Sequence, residues 1–85
     1  MGDVIVSSKK PVSSYITACM FHLHDKGVVT LQATGSAIEK LVRTVSKIKE
    51  MLDEINVDEV NFEEVEYNGR KKARLKVVIS VSSKD

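Results

Sequence analysis

A single cysteine, Cys19, leaves no partner for a disulfide framework and no set of thiolates for a metal site. Tryptophan is absent, and two tyrosines with two phenylalanines offer little surface for stacking on bases, which argues against sequence-specific reading of a single strand. No apolar run approaches the ~20 residues of a membrane span. The N-terminus shows no basic-then-apolar leader, because Asp3 and the lysines at 9 and 10 interrupt it, so the sequence reads as that of a cytoplasmic protein. There is no glycine-rich phosphate loop, since Gly35 stands alone, and no internal repeat or low-complexity linker. His22 and His24 are two apart, so on a helix they diverge and make a poor metal pair. Cys19 falls on an apolar helix face and reads as an inert core thiol. Glu63, Glu64 and Glu66 resemble paired acids, but a charged strand edge that discourages aggregation explains them. No catalytic group, metal site, cofactor or small-molecule substrate is expected, and the chain does not read as an enzyme.

What is present is an ordinary globular composition, 42% apolar and 29% charged, in one expected domain spanning residues 1–85. At this size dimerisation would add stability. The net charge of +1 hides a strong segregation: residues 1–50 carry +3, residues 51–68 carry −7 and residues 69–85 carry +5. Fields depend on local charge, so a near-neutral total leaves a polyanion partner possible.

The order of elements is legible from periodicity. Asp3-Val4-Ile5-Val6 is a first strand. Pro11 suits the first helical position, and Val12, Ile16, Cys19 and Leu23 recur at helical spacing, widened by Tyr15, Ala18 and Met20. Gly27 ends that helix as a left-handed cap. Val28 to Thr34 alternate as a second strand. Ser36 and Glu39 have the spacing of a capping box, after which Ile38, Leu41, Val42, Val45, Ile48 and Leu52 form one apolar face. In the third strand Val60 and Phe62 share one phase and Val65 and Tyr67 the other, which predicts a β-bulge at Glu63-Glu64. Asn68-Gly69 predicts a tight turn, and Leu75, Val77, Ile79 and Val81 alternate in the fourth strand. Ser82 to Asp85 read as a frayed tail. The fold class is α+β, a βαβαββ two-layer sandwich with two helices on a four-stranded mixed sheet.

Three basic clusters stand out. Lys9 and Lys10 sit at the first strand-to-helix junction, beside the free amides of a helix N-terminus. Lys40, Arg43 and Lys47 share the outer face of the second helix, and Arg70, Lys71, Lys72 and Arg74 follow the hairpin turn. Each cluster alone can be a solvated face. Together in one small chain they favour a polyanion, with backbone contacts that position without reading sequence.

Lys9-Lys10-Pro11-Val12, with Tyr15 beyond, resembles the start of the Alba family of small archaeal chromatin proteins. Ala33-x-Gly35-x-Ala37-Ile38-x-Lys40-x-Val42, with Val45 beyond, is similar to the family's second junction, and the Val60, Phe62, Val65, Tyr67 pattern to its third strand. The resemblance runs from about Val4 to Val81. It implies a fold shared with the C-terminal domain of a bacterial translation initiation factor. It also implies a homodimer that binds double-stranded DNA, and often RNA, with little sequence preference, associated with the chromosome. Carried over, Lys9 and Lys10 would face phosphates near the dimer axis, Lys40 would support a second contact, and the hairpin a third. Lys9 aligns with the lysine whose acetylation is associated with weakened binding, as loss of a charge requires. Leu52, Phe62 and Val78 are candidates for the dimer interface.

Departures accompany the likeness. Basic residues common in the family are replaced by Gln32, Thr34 and Ser36. Each lost phosphate contact flattens the log–log salt dependence by about 0.9. The hairpin is shorter than is usual in the family, which would hold its cations close to the body. Two alternatives follow: an RNA-binding variant, and a protein-interaction or structural module with weakened nucleic-acid binding.

Overall fold

The computed structural model describes residues 3–82, arranged as β1 (Asp3–Val6), α1 (Val12–Lys26), β2 (Val28–Thr34), a 3-10 turn (Gly35–Ala37), α2 (Ile38–Met51), β3 (Ile55–Tyr67) and β4 (Arg70–Val81). The four strands form one mixed sheet in the order β1-β2-β4-β3, with β1 parallel to β2 and the other pairs antiparallel. Both helices lie on one face of it, so the expected βαβαββ sandwich is the observed one. Alternation in the strands supplies the core: Val4, Val6, Val29, Leu31, Val77 and Ile79 are buried against Tyr15, Cys19 and Leu23 of α1 and Leu41 and Ile48 of α2. The 83–85 part of the expected frayed tail lies outside the described residues. Ser82 itself is tied down: its N–H donates to the Glu54 carbonyl at 2.8 Å and its hydroxyl accepts from Asn56 at 2.7 Å.

Several local expectations are corrected. Pro11 caps α1 rather than opening it, because its ring fixes φ at −72° while ψ is free and extended at 160°. Gly27 is left-handed (φ 79°) and its N–H closes on the Leu23 carbonyl at 2.9 Å, as expected of a C-terminal cap. The Ser36–Glu39 capping box does not form. Gly35 (φ 63°) starts a 3-10 turn, so Ser36 is already inside a turn and not at a non-helical cap, while Glu39 pairs with Arg43 at 2.9 Å. On α2 the buried stripe is Leu41, Thr44 and Ile48, and Val42 is 52% exposed. Thr44 tolerates complete burial because its hydroxyl donates to the Lys40 carbonyl at 2.8 Å.

The bulge sits at Asp58, not at Glu63-Glu64. Val57 pairs with Ile79 and Glu59 with Val78, so Asp58 is the extra residue, and register is regular from Glu59 to Tyr67. One extra residue puts Val57 and Val60, three apart, on the same helix-side face. The later change of apolar phase is a true change of face. Beyond the Thr34–Arg74 pair the hairpin leaves β2 and has no core to cover, so Val65 and Tyr67 occupy the opposite side. The turn has both central residues left-handed, Asn68 at φ 51° and Gly69 at φ 77°, as a type I′ turn requires.

Core position and exposure set the expected stability effects. Leu31 is completely buried, so Leu31→Ala should lower unfolding free energy by about 2–5 kcal/mol. Phe21, 66% exposed on α1, should tolerate alanine within about 0.5 kcal/mol. Urea titration of the two variants against the parent checks both.

Candidate functional site

Strand direction gathers the site. Parallel β1 and β2 end at the same pole of the molecule, antiparallel β4 begins there, and β3 ends there. The Ser7–Pro11 junction, the Gly35–Ala37 turn and the hairpin therefore meet at one end, although they are far apart in sequence. Four residue pairs of the hairpin lie beyond the Thr34–Arg74 contact, so at ~3.3 Å per residue the arm reaches roughly 13 Å past the sheet before its turn. The chain measures 49 × 23 × 21 Å. The expectation that the hairpin cations stay close to the body is thus corrected by an arm that projects.

The first junction is held from two sides. Tyr15, buried on α1, accepts from the Ser7 N–H and donates to the Ser7 carbonyl, each at 3.0 Å, and stands 3.0 Å from the Ser7 hydroxyl. Lys40, in the first turn of α2, donates from Nζ to the Ser8 carbonyl at 3.1 Å and to the Lys10 carbonyl at 2.6 Å. The sequence places Lys40 among outward cations; the structure turns its ammonium onto the loop that carries Lys9 and Lys10. An ammonium is a compact three-donor group, and carbonyls of a tight loop suit it. Lys9 and Lys10 are exposed, and neither has a carboxylate partner among the described residues.

These contacts also set the Tyr15 phenol. The Ser7 hydroxyl holds its pKa below the ordinary 10.0; burial opposes this, and the Ser7 backbone, the Lys40 charge and the Lys10 backbone reinforce it. At neutral pH the phenol is protonated folded or unfolded, so the shift adds nothing to stability there. Its contribution grows as pH rises through the folded value toward 10.0.

The remaining cations divide into paired and unpaired. Arg43 bonds Glu39 at 2.9 Å and Lys47 approaches Glu50 at 3.9 Å, both on exposed α2 surface. Such pairs are worth at most about 1 kcal/mol and release their cations easily. Lys47 is two turns from Lys40, roughly 10 Å along the helix and away from the pole. Arg74 is paired with Glu63 across the strands and its side chain is only 29% exposed. Arg70, Lys71 and Lys72 are exposed on the arm and make no ion pair among the described residues.

Gln32, Thr34 and Ser36, with Ser7 and Ser8, line a neutral cleft of about 270 Å³ between the ends of β1 and β2. Lys76 was missed by the sequence reading. It is exposed and directly opposite Gln32, so it returns one cation to the outer sheet face. The inward alternation of Leu75 and Val77 was the available signal. Elsewhere, burial pushes the Cys19 thiol up to about 12. His22 packs edge-on to Phe21, ring centres 5.7 Å apart, and no cluster of three metal-ligating side chains occurs among the described residues. No helix among them is long and apolar enough to cross a membrane.

A separate surface lies between α2 and β3. Val42, Val57, Val60 and Phe62, all more than 40% exposed, join Leu41, Val45, Leu75 and Val77 in an apolar groove of about 660 Å³. Of the three residues expected at an interface, Phe62 lines this groove. Leu52 instead packs at the end of α2 beside Met20 and Val81, and Val78 lies on the outer sheet face opposite Thr30.

A family model described as Alba matches residues 2–68, ending within the hairpin turn. The crystal structure of ALBA1 from Trypanosoma brucei superposes with a TM-score of 0.84 at 20% identity, covering 95% of this chain and 69% of that one. Alba from Thermoplasma volcanium superposes with a TM-score of 0.80 at 16% identity, covering 93% of this chain and 99% of that one. At such identities the likeness is one of fold. No curated protein sequence matches the chain.

The latch generates a specific expectation. Lys40→Met removes both carbonyl bonds, so trypsin should cut after Lys9 faster than in the parent, while the Lys10–Pro11 bond stays resistant. In a Tyr67→Phe background, where Tyr15 is the remaining tyrosine, ultraviolet titration should show the phenol ionising at higher pH once Lys40 is neutral. Lys40→Arg should keep most of the charge effect.

Proposed function

The chain belongs to the Alba family, whose members are nucleic-acid-binding proteins, and from that premise we propose that it acts as a homodimeric, sequence-nonspecific binder of double-stranded DNA. One observation carries the reading: Lys9 and Lys10, on a loop fixed by Tyr15 and Lys40, share a pole with the unpaired Arg70, Lys71 and Lys72 of the projecting arm. Fixed, uncompensated cations on two prongs suit a phosphate backbone, because little ordering remains to be done on binding. Arg43 joins them on giving up an exposed carboxylate, and Lys40 acts through the loop. Lys47 and Arg74 stand further back. The reading makes the chain a one-domain chromatin component, and acetylation of Lys9 would weaken it by removing a charge.

The dimer completes the surface. The apolar groove between α2 and β3 presents large hydrophobic side chains to water, and a second copy is the occupant that doubles the cationic pole without new sequence. A second reading has its own observation. The neutral hydroxyl and amide lining of the strand-end cleft can donate to and accept from ribose 2′-hydroxyls, which favours RNA at that spot. Competition between duplex DNA and structured RNA separates the two.

Binding to duplex DNA should fall linearly in log–log form with salt. Six cations per subunit, Lys9, Lys10, Arg43, Arg70, Lys71 and Lys72, limit the slope to about −11 for a dimer. Lys9→Ala with Lys10→Ala should flatten it by up to about 3.6 and weaken binding evenly across sequences. Absence of binding at low salt, or binding indifferent to salt, would overturn the proposal. For the dimer, Phe62→Asp should convert the particle to a monomer by light scattering, whereas Ile5→Ser, on the outer sheet face, should leave it intact.

A further inference from the structure

The hairpin arm is two-faced. Phe62–Leu75 belongs to the helix-side face, so regular alternation assigns Glu64–Ala73 and Glu66–Lys71 to that side. Glu63–Arg74, Val65–Lys72 and Tyr67–Arg70 occupy the outer side. Beyond the Arg74–Glu63 ion pair the outer face carries Lys72 and Arg70, a charge of +2. The inner face carries Glu64, Glu66 and Lys71, a charge of −1. The basic hairpin is therefore basic on one side only.

That side also holds an aromatic ring. Tyr67 is 49% exposed next to the turn, makes no side-chain hydrogen bond among the described residues, and stands directly opposite Arg70. The stem of Lys72 reaches the turn that precedes α2, its Cδ 3.6 Å from where a side chain on Gly35 would begin. An exposed ring with no structural task, flanked by two unpaired cations, is a stacking platform with phosphate contacts on either side. In a continuous duplex the base faces are covered by their neighbours, and uncovering one costs a few kcal/mol per step. In an unpaired strand they are open.

Building on the nucleic-acid reading, we propose that Tyr67 stacks on an unpaired base, with Arg70 and Lys72 holding the flanking phosphates. The arm then distinguishes single-stranded or looped nucleic acid from continuous duplex. Sugar identity is a separate matter, since base faces are common to DNA and RNA.

The test uses the full chain with fluorescein-labelled oligodeoxythymidylate, oligouridylate and a mixed-sequence DNA duplex. A stacked base is worth ~1–3 kcal/mol, or about 5- to 150-fold, so Tyr67→Ala should weaken single-strand binding by that range. Duplex binding should change by less than about twofold, and Tyr67→Phe should behave as the parent, because the ring and not the hydroxyl is used. In a protein without tryptophan, tyrosine emission should be quenched by either single strand, and Tyr67→Phe should remove that quenching. Arg70→Ala with Lys72→Ala should weaken all three probes and flatten their salt dependence. Equal loss on duplex and single strand, no loss on either, or a Phe variant as weak as Ala would overturn the stacking role while leaving the wider reading intact. A parent chain that binds none of the probes would overturn both.

Discussion

The bond from the Lys40 ammonium to the carbonyls of Ser8 and Lys10 is the contact on which the cationic pole depends. It joins the first turn of α2 to a loop thirty residues earlier, and Tyr15 fixes the other end of that loop at Ser7. Without these anchors Lys9 and Lys10 would sit on a mobile turn, and a ligand would have to order the backbone at ~1–2 kcal/mol per residue. With them, the two lysines are presented by a scaffold already in place. The burial of Tyr15 and Thr44 serves the same end. Each is a polar side chain in a packed layer whose hydroxyl is spent on backbone at or beside this junction.

The overall fold was legible because period and punctuation agreed. Helical spacing in both helices, Gly27 as a cap, alternation in β2 and β4, and Asn68-Gly69 as a turn all pointed to one answer. What was not legible required knowing which chain segment lies alongside. The Asp58 bulge is visible only once Ile79 and Val78 are known to be the partners. The reading of Val65 and Tyr67 as a bulge failed because alternation cannot show where a hairpin leaves its sheet. Thr44 takes the buried side of α2 while Val42 faces the open groove toward β3, a difference that a helical wheel does not contain. At the site, cation identity was readable but cation use was not: Lys40, Arg43 and Arg74 look alike in sequence, yet one bonds carbonyls and two bond carboxylates.

Charge in this chain is sorted by topology more than by sequence block. The −7 segment includes both ends of β3: Asp53, Glu54, Asp58 and Glu59 lie far from the cationic pole, whereas Glu63, Glu64 and Glu66 lie beside it. The last three temper the hairpin, neutralising Arg74 and giving the arm an acidic side. They also blunt β3, one of the two edge strands of the sheet. A single set of residues thereby discourages edge pairing and restricts which side of the arm a polyanion can meet.

The type I′ turn has a further consequence for how such an arm can vary. Removing one residue from each strand would bring the tip pair one step closer and rotate Tyr67 and Arg70 to the acidic side. Removing two from each would restore their side and keep the alternation of hydrogen-bonded pairs that a two-residue turn needs. Arm length is thus quantised: reach can be traded in double steps while the face that carries Tyr67 and Arg70 is kept, and single steps invert it. Insertions and deletions in this hairpin carry a parity, and that parity, more than the count of lysines, governs whether a longer or shorter arm would still present the same surface.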